Sequence, residues 1–430
     1  MKALIVGGAR SGKYMALLLN REGYEVILTD NNEVTYKKEL EVKNITVIDG
    51  GHPDYLLETH YDVIVKNPGI KYSTPFIKAV LAQGYTIYNE IDVALRFASD
   101  VDVLAISGTN GKTTTVSLLY AMVKEQFSNV YLGGNIGIAV SELVYKYPNM
   151  QTLILELSSF QLDGIYDLKP KIATLLNLQM DHLDYYEDLD AYYNSKQRIY
   201  QNQDKNDYYI LNQSDQEIVH RFNNDQVQTI NLHGIDSVLT ENGRDIMFNG
   251  ELLFSKDDLN IVGQHNVENT MVAALMARLY GVDPLNIQKA IKNFNGVEHR
   301  IEFVLEKNNI KFYNDSKATN VESLKVALEA FDQPVILLAG GYDKQISFED
   351  LRAYNSNVKQ AYVFGQTKDK LAEVFDHSIV VDTLDDALSF ALKDAQADDI
   401  ILFSPACASF DQFKDYEDRG RYFKQLVKSI

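Results

Sequence analysis

The residues Gly111-Lys112-Thr113 stand between two contrasting patterns. An apolar β-branched run, Val101 to Ile106, breaks at Ser107-Gly108-Thr109-Asn110. Helical spacing then begins, with apolar residues at Val116, Leu119, Tyr120 and Val123. Strand, glycine turn and helix in this order make a phosphate cradle: glycines let backbone N–H groups curl round an anion, and the helix start adds roughly half a positive charge. Lys112 would reach the outer phosphates and the Thr113 hydroxyl a Mg²⁺ ion. The spacing is G-x-x-G-K-T rather than G-x-x-x-x-G-K-[ST], so an ordinary strand–turn–helix stays open beside nucleotide binding. Glu156 closes the apolar run Leu153 to Leu155 and offers a carboxylate for Mg²⁺, with a solvated strand-end glutamate as the alternative. His182, between Asp181 and Asp184, lacks the spacing of a helix-borne zinc motif. Lys196 falls in a helical stretch, 187–203, where most lysines are solvated. Cys407 has no base beside it in sequence and reads as a small buried apolar residue.

These side chains need a scaffold, and the chain supplies apolar strands alternating with helical stretches, the pattern of a parallel sheet. Residues 1–30 repeat the theme: Ala3 to Val6, the turn Gly7-Gly8-Ala9-Arg10-Ser11-Gly12, a helix to about Arg21, then a strand ending at Asp30. This is nearly a dinucleotide fingerprint, but Ala9 stands where a second glycine would admit a pyrophosphate. An NAD site, a Rossmann-like domain for another nucleotide, and a domain that only packs all remain open. Val63 to Val65 leads to a further strand-end loop, Lys66-Asn67-Pro68-Gly69-Ile70. A polar stretch at 91–100 suggests a boundary before the central strand, and Gly296-Val297 suggests another. Between them, Asn249-Gly250 flanked by Asp245–Phe248 and Glu251–Ser255 is a hairpin signal. The last third is α/β again, with strands ending at Asn314-Asp315-Ser316-Lys317, at Gly340-Gly341-Tyr342-Asp343-Lys344 and at Ser404 to Ser409. The expected architecture is three consecutive α/β domains: Rossmann-like at 1–92, a central P-loop-type ATPase with a mainly parallel sheet at 93–297, and Rossmann-like at 298–430.

At 430 residues, 46% hydrophobic and 23% charged, the chain has ample core material for several domains. Its net charge of −19 argues against a nucleic-acid-binding surface. The single cysteine excludes an internal disulfide and a cysteine-based metal site. The first apolar run ends at glycines too soon for a signal peptide, and no stretch approaches the ~20 apolar residues of a spanning helix. A cytoplasmic protein is expected.

Several segments together resemble the Mur ligase family, the ATP-dependent amide-forming enzymes of bacterial cell-wall synthesis, with folylpolyglutamate synthases as relatives. They are GTNGKTTT, ELSSFQL, MDHLDYY, NSKQRIY, GQHNVEN, EHR, NDSKATN, GGYDK and SPACASFDQFKDYEDRG, and they cover essentially the whole chain. The closing motif resembles that of the branch joining D-glutamate to UDP-N-acetylmuramoyl-L-alanine; a related ligase with another amino-acid acceptor is the alternative. The resemblance implies that Arg10, Ser11, Asp30, Asn67 and Gly69 hold the UDP part. Family members often carry Ser at the position of Asn67 and Asp-Thr-Arg at Asp30-Asn31-Asn32. It implies an ATP site at Gly108, Thr109, Asn110, Gly111, Lys112, Thr113, Thr114 and Thr115, with Asn269, Arg300 and Asp315 as further nucleotide contacts. Asn135 and His182 match positions near the muramoyl-alanine carboxylate. Two Mg²⁺ ions are implied, on Thr113, Glu156, His182 and Lys196, the last as a CO₂-derived carbamate. Lys112, His182 and Lys196 would be catalytic. Lys317, Thr319, Lys344, Ser409, Phe410 and Tyr416 match positions around D-glutamate, with Tyr416 often Phe in the family. The partners implied are the three small-molecule substrates, UDP-N-acetylmuramoyl-L-alanine, D-glutamate and ATP; no nucleic acid, no membrane span and a monomeric state are expected.

Overall fold

The computed structural model describes residues 1–98, 100–180, 185–234 and 236–430. They form an α/β protein of two compact units, Met1–Ser255 with Asn269–Ala290, and Lys256–Glu268 with Ile291–Ile430.

The first unit begins with a five-stranded parallel sheet: β1 (Lys2–Val6), β2 (Glu25–Thr29), β3 (Thr46–Ile48), β4 (Val63–Lys66) and β5 (Ile87–Tyr88), in the order β3-β2-β1-β4-β5. The continuous apolar runs of β1 and β4 follow from burial on both sheet faces. The helix Arg10–Arg21 lies so close to the first turn that a Cβ on Gly12 would sit 1.9 Å from the Gly7 carbonyl oxygen. The polar stretch at 91–100 overlaps a helix, Glu90–Leu95, in which Glu90 and Asp92 are buried. The Glu90 carboxylate accepts the N–H groups of Val140 (3.2 Å) and Ser141 (2.7 Å) at the start of the helix Val140–Lys146. Asp92 accepts those of Tyr166, Asp167 and Leu168. Carboxylates that satisfy orphan helix-start and loop donors are at home in a packed junction.

Six further strands make the second parallel sheet: β6 (Asp102–Ser107), β7 (Val130–Gly134), β8 (Thr152–Glu156), β9 (Ile172–Leu175), β10 (Tyr208–Asn212) and β11 (Gln228–Leu232), ordered β11-β10-β9-β6-β8-β7. One apolar cluster runs from Ala3 and Leu28 of the first sheet to Ala105 and Leu155 of the second. A small antiparallel sheet follows: β12 (Leu239–Asn242), β13 (Asp245–Phe248) and β14 (Glu251–Ser255). Asn249 and Gly250, with φ of 51° and 81°, form its two-residue turn as expected.

The second unit holds β15 (Glu302–Lys307), β16 (Ile310–Asn314), β17 (Val335–Gly340), β18 (Val358–Phe364), β19 (Ser378–Val380) and β20 (Ile400–Phe403), ordered β15-β16-β20-β17-β18-β19. Apolar clusters cover both faces. Five strands run parallel, but β15 is antiparallel to β16. This edge hairpin departs from a plain Rossmann-like reading. Its cause is Asn308-Asn309, both at positive φ (54° and 62°), which reverse the chain in two residues. No described helix is long and apolar enough to cross a membrane.

Candidate active site

In the first unit the C-terminal strand ends bring four loops to one edge. The N–H of Leu157 donates to Ile106 O (2.9 Å), that of Leu176 to Ser107 O (2.9 Å), and that of Asn135 to Glu156 O (2.8 Å). The glycine loop is locked by Asn177, whose Oδ1 accepts the N–H groups of Thr109 (3.1 Å) and Asn110 (2.8 Å). Asn110 Nδ2 also donates to Gln179 Oε1 (2.8 Å). Gly111 precedes the helix Lys112–Lys124 at φ +82°, and a Cβ there would lie 2.4 Å from Asn269 Oδ1. Thr115 Oγ1 bonds Gly111 O (3.0 Å) and that same Asn269 oxygen (3.2 Å). Gly111→Ala is therefore expected to lower stability by roughly 1–3 kcal/mol, read from denaturant unfolding.

Two lysines converge on one carbonyl. Lys112 Nζ donates to Gly108 O (2.9 Å) and Thr109 O (2.7 Å), and Lys196 Nζ donates to Gly108 O (2.8 Å). Lys196 is buried, at the end of the helix Leu189–Gln197, with its ammonium 4.9 Å from the Tyr192 ring centre. Thr113 and Thr114 are also buried. At the end of β8, Glu156 Oε1 accepts Asn135 Nδ2 (2.8 Å), while Oε2 is enclosed with no hydrogen-bond partner among the described residues. A buried carboxylate oxygen left over beside a Lys-Thr turn fits Mg²⁺, which takes oxygen ligands and keeps phosphate among them. His182 lies outside the described residues.

At the first sheet, a cavity of about 740 Å³ is lined by Gly7, Asp30, Asn31, His52, Asn67 and Phe76, among others. Asn67 is wired into its wall: Nδ2 donates to Ser11 Oγ (2.9 Å) and Oδ1 accepts the Gly69 N–H (3.0 Å). The Asp30 carboxylate takes the Gly8 N–H (2.6 Å) and the Asn32 N–H (2.7 Å). Arg10 reaches elsewhere, to Glu142 Oε2 (2.6 Å). Sequence reasoning missed His52, stacked on Phe76 at 4.6 Å and held by Thr29 Oγ1 at 2.9 Å.

In the second unit, the loops after β16, β17 and β20 meet at the sheet's C-terminal edge. The N–H of Asp315 donates to Phe403 O (2.7 Å), that of Gly340 to Pro405 O (2.9 Å), and that of Tyr342 to Ala408 O (2.9 Å). Ala406 is held at φ +56°, a conformation costly for a side-chain-bearing residue. Asp315 is buried, accepts Ser404 Oγ (2.6 Å) and the Ile301 N–H (3.1 Å), and is pushed up to about 7 by burial. Arg419 clasps the loops together. Its guanidinium, fully buried and pushed down to about 10 by burial, donates to Ser316 Oγ (3.0 Å), Ser316 O (2.8 Å), Cys407 O (3.0 Å) and Ala408 O (3.1 Å). The Lys317 N–H donates to His299 O (3.0 Å), and Tyr416 O accepts Ser316 Oγ (2.8 Å). Ser409 is buried, Lys344 is exposed, and Phe410 stands 65% exposed against Tyr342 at 6.2 Å. Arg300 and Thr319 are half-buried. Burial pushes the Cys407 thiol up to about 11, in keeping with a packing role. Arg419→Ala should cost roughly 3 kcal/mol or more in denaturant unfolding, because the loop carbonyls lose a charged donor and a cavity opens.

Residues 106–277 match the Mur ligase middle domain, and residues 299–407 the Mur ligase, glutamate ligase domain. A UDP-N-acetylmuramoylalanine–D-glutamate ligase of Bacillus cereus (strain G9842) is 40% identical over 99% of this chain and 97% of its own length. This chain belongs to the Mur ligase family. The enzyme of that same name from Bacillus anthracis (strain A0248) is 40% identical to this Mur ligase over the same shares. Among solved structures, the MurF ligase of Thermotoga maritima in complex with ADP shares the fold at TM-score 0.63 and 17% identity, over 96% of this chain and 98% of that one. The UDP-N-acetylmuramate–alanine ligase MurC of Thermotoga maritima does so at TM-score 0.58 and 19% identity, over 100% and 99%.

Proposed function

We propose that this Mur ligase joins the carboxylate of UDP-N-acetylmuramoyl-L-alanine to the amine of D-glutamate, using ATP and passing through an acyl phosphate. The observation that carries the reading is the convergence of Lys112 and Lys196 on Gly108 O beside the buried Glu156 carboxylate. A carboxylate is a poor acyl donor because its leaving group would be oxide. Transfer of the ATP γ-phosphoryl group converts it to an acyl phosphate, which the amine attacks; the tetrahedral intermediate then collapses, forming the amide and releasing phosphate. The first step gathers negative charge on both partners, and Lys112 neutralises it. Thr113 and Glu156 would hold one Mg²⁺, and His182 with Lys196 as a carbamate a second; the ions supply positive charge against phosphoryl and carboxylate oxygens. A carbamate keeps one N–H on Nζ, so the donation to Gly108 O survives the modification. Asn135 holds Glu156 in place and meets the muramoyl-alanine end of the substrate. Residues 1–92 take the sugar nucleotide through Arg10, Ser11, Asp30, Asn67 and Gly69; residues 93–297 take ATP, with Arg300 and Asp315 as further nucleotide contacts. Residues 298–430 take D-glutamate through Lys317, Thr319, Lys344, Ser409, Phe410 and Tyr416. The enzyme acts as a cytoplasmic monomer.

Phosphate release with each substrate omitted in turn tests the assignment. Turnover is expected only when ATP, the muramoyl-alanine nucleotide and D-glutamate are all present. Turnover with L-glutamate and a folate, and none with D-glutamate, would overturn it.

A further inference from the structure

Lys66 ends β4 and pairs in register with Val6 of β1. The strand order reverses between these two strands, and in open parallel sheets the crevice outside that point receives the ligand. By strand alternation Lys66 shares the face of Ile64, against which Ile70, Tyr72 and Phe76 pack. Ile70 and Phe76 also line the cavity of about 740 Å³, and Asn67 on its wall is the next residue in the chain. Lys66 is only 3% exposed, with its ammonium 4.2 Å from the Tyr72 ring centre. Among the described residues, no hydrogen-bond acceptor and no carboxylate within ion-pair distance meets that ammonium. The carboxylate whose field reaches it, Asp163, accepts the Tyr186 hydroxyl at 2.8 Å. Nearby, the hydroxyls of Tyr72 and its neighbour Tyr185 are enclosed without hydrogen-bond partners among the described residues.

A cation withdrawn from water with no acceptor destabilises a fold, and a methionine would fill the same volume without that cost. The charge is accounted for when an anion arrives. We propose that Lys66 binds the diphosphate of the sugar nucleotide, donating to its phosphate oxygens as the nucleotide leaves the first cavity. This rests on the reading of the first sheet as the sugar-nucleotide site. Burial pushes the ammonium down to about 8. Among the described residues, the other titratable groups around it are Asp163, Tyr72, Tyr166, Tyr185 and Tyr186, with the Arg198 guanidinium and the Lys71 ammonium beyond; burial pushes Tyr72, Tyr185 and Tyr186 up, so those three stay neutral while Lys66 titrates.

The test is calorimetric binding of UDP and of UDP-N-acetylmuramoyl-L-alanine to the full-length protein. Lys66→Met is expected to weaken both by roughly tenfold or more, since a charge-assisted contact is lost. Its thermal midpoint should be unchanged or higher, which separates the effect from misfolding. Lys66→Arg should retain most of the affinity. Wild-type affinity should fall as pH rises past about 8, and that fall should vanish in Lys66→Met. Equal affinities in wild type and Lys66→Met, or a loss confined to the sugar-peptide nucleotide with UDP unaffected, would overturn the proposal. Wild-type protein that binds neither nucleotide would overturn the sugar-nucleotide reading itself, and the inference with it.

Discussion

Phosphate release by Lys112→Ala is expected to fall by roughly a thousandfold, the upper end of what one preorganised charge contributes at a phosphoryl-transfer centre. The ammonium sits on the carbonyls of Gly108 and Thr109, in a loop that Asn177 holds independently through the N–H groups of Thr109 and Asn110. The fold should therefore survive, with a thermal midpoint close to wild type, while ATP binds more weakly. Lys112→Arg should recover little, because a planar guanidinium does not replace a compact ammonium beside two carbonyls. Turnover within a few-fold of wild type in Lys112→Ala would remove the residue from its assigned role.

Lys196→Ala should be as damaging to activity and more damaging to stability. The side chain is buried over Tyr192 and bonded to Gly108 O, so truncation leaves a cavity and a carbonyl short of one donor. A cost of roughly 2–4 kcal/mol in denaturant unfolding is expected. The diagnostic result is rescue. If Lys196 works as a carbamate, short carboxylic acids diffusing into the cavity should restore part of the rate in Lys196→Ala, and primary amines should not. Rescue by amines alone would mean that the lysine acts as a cation.

The two lysines also show what the chain discloses when read linearly. The Lys112 loop was legible because its determinants are local: an apolar strand, a glycine turn and a helix face lie within 25 residues. Asn249-Gly250 was legible for the same reason, its positive φ values being a property of the dipeptide. Asn308-Asn309 carries the same turn chemistry, yet the flanking runs Glu302–Lys307 and Ile310–Asn314 are too mixed in polarity to announce an edge hairpin. Lys196 illustrates the opposite limit. On a helix pattern alone it resembles any solvated lysine; the family resemblance singles it out, and its burial and its bond to a carbonyl 88 residues away are the physical features that no local pattern announces. Arg419 is further from reach, because beside the Ser316 hydroxyl its partners are backbone carbonyls of Ser316, Cys407 and Ala408, which no residue type advertises. The burial of Glu90 and Asp92 has no sequence signal for a related reason: the groups that satisfy them are backbone N–H donors inside a packed junction. His52 against Phe76 had no sequence signal, since the pairing depends on two loops meeting at the sheet edge.

The central chemical claim is that a phosphoryl group rests on the sugar-peptide carboxylate before the amide forms. It is tested most directly by labelling that carboxylate with heavy oxygen and collecting the inorganic phosphate released in a complete reaction with ATP and D-glutamate. An acyl phosphate requires one labelled oxygen to leave with each phosphate. Phosphate free of label, with amide product still formed, would mean that ATP is spent elsewhere and that the acyl-phosphate account is wrong.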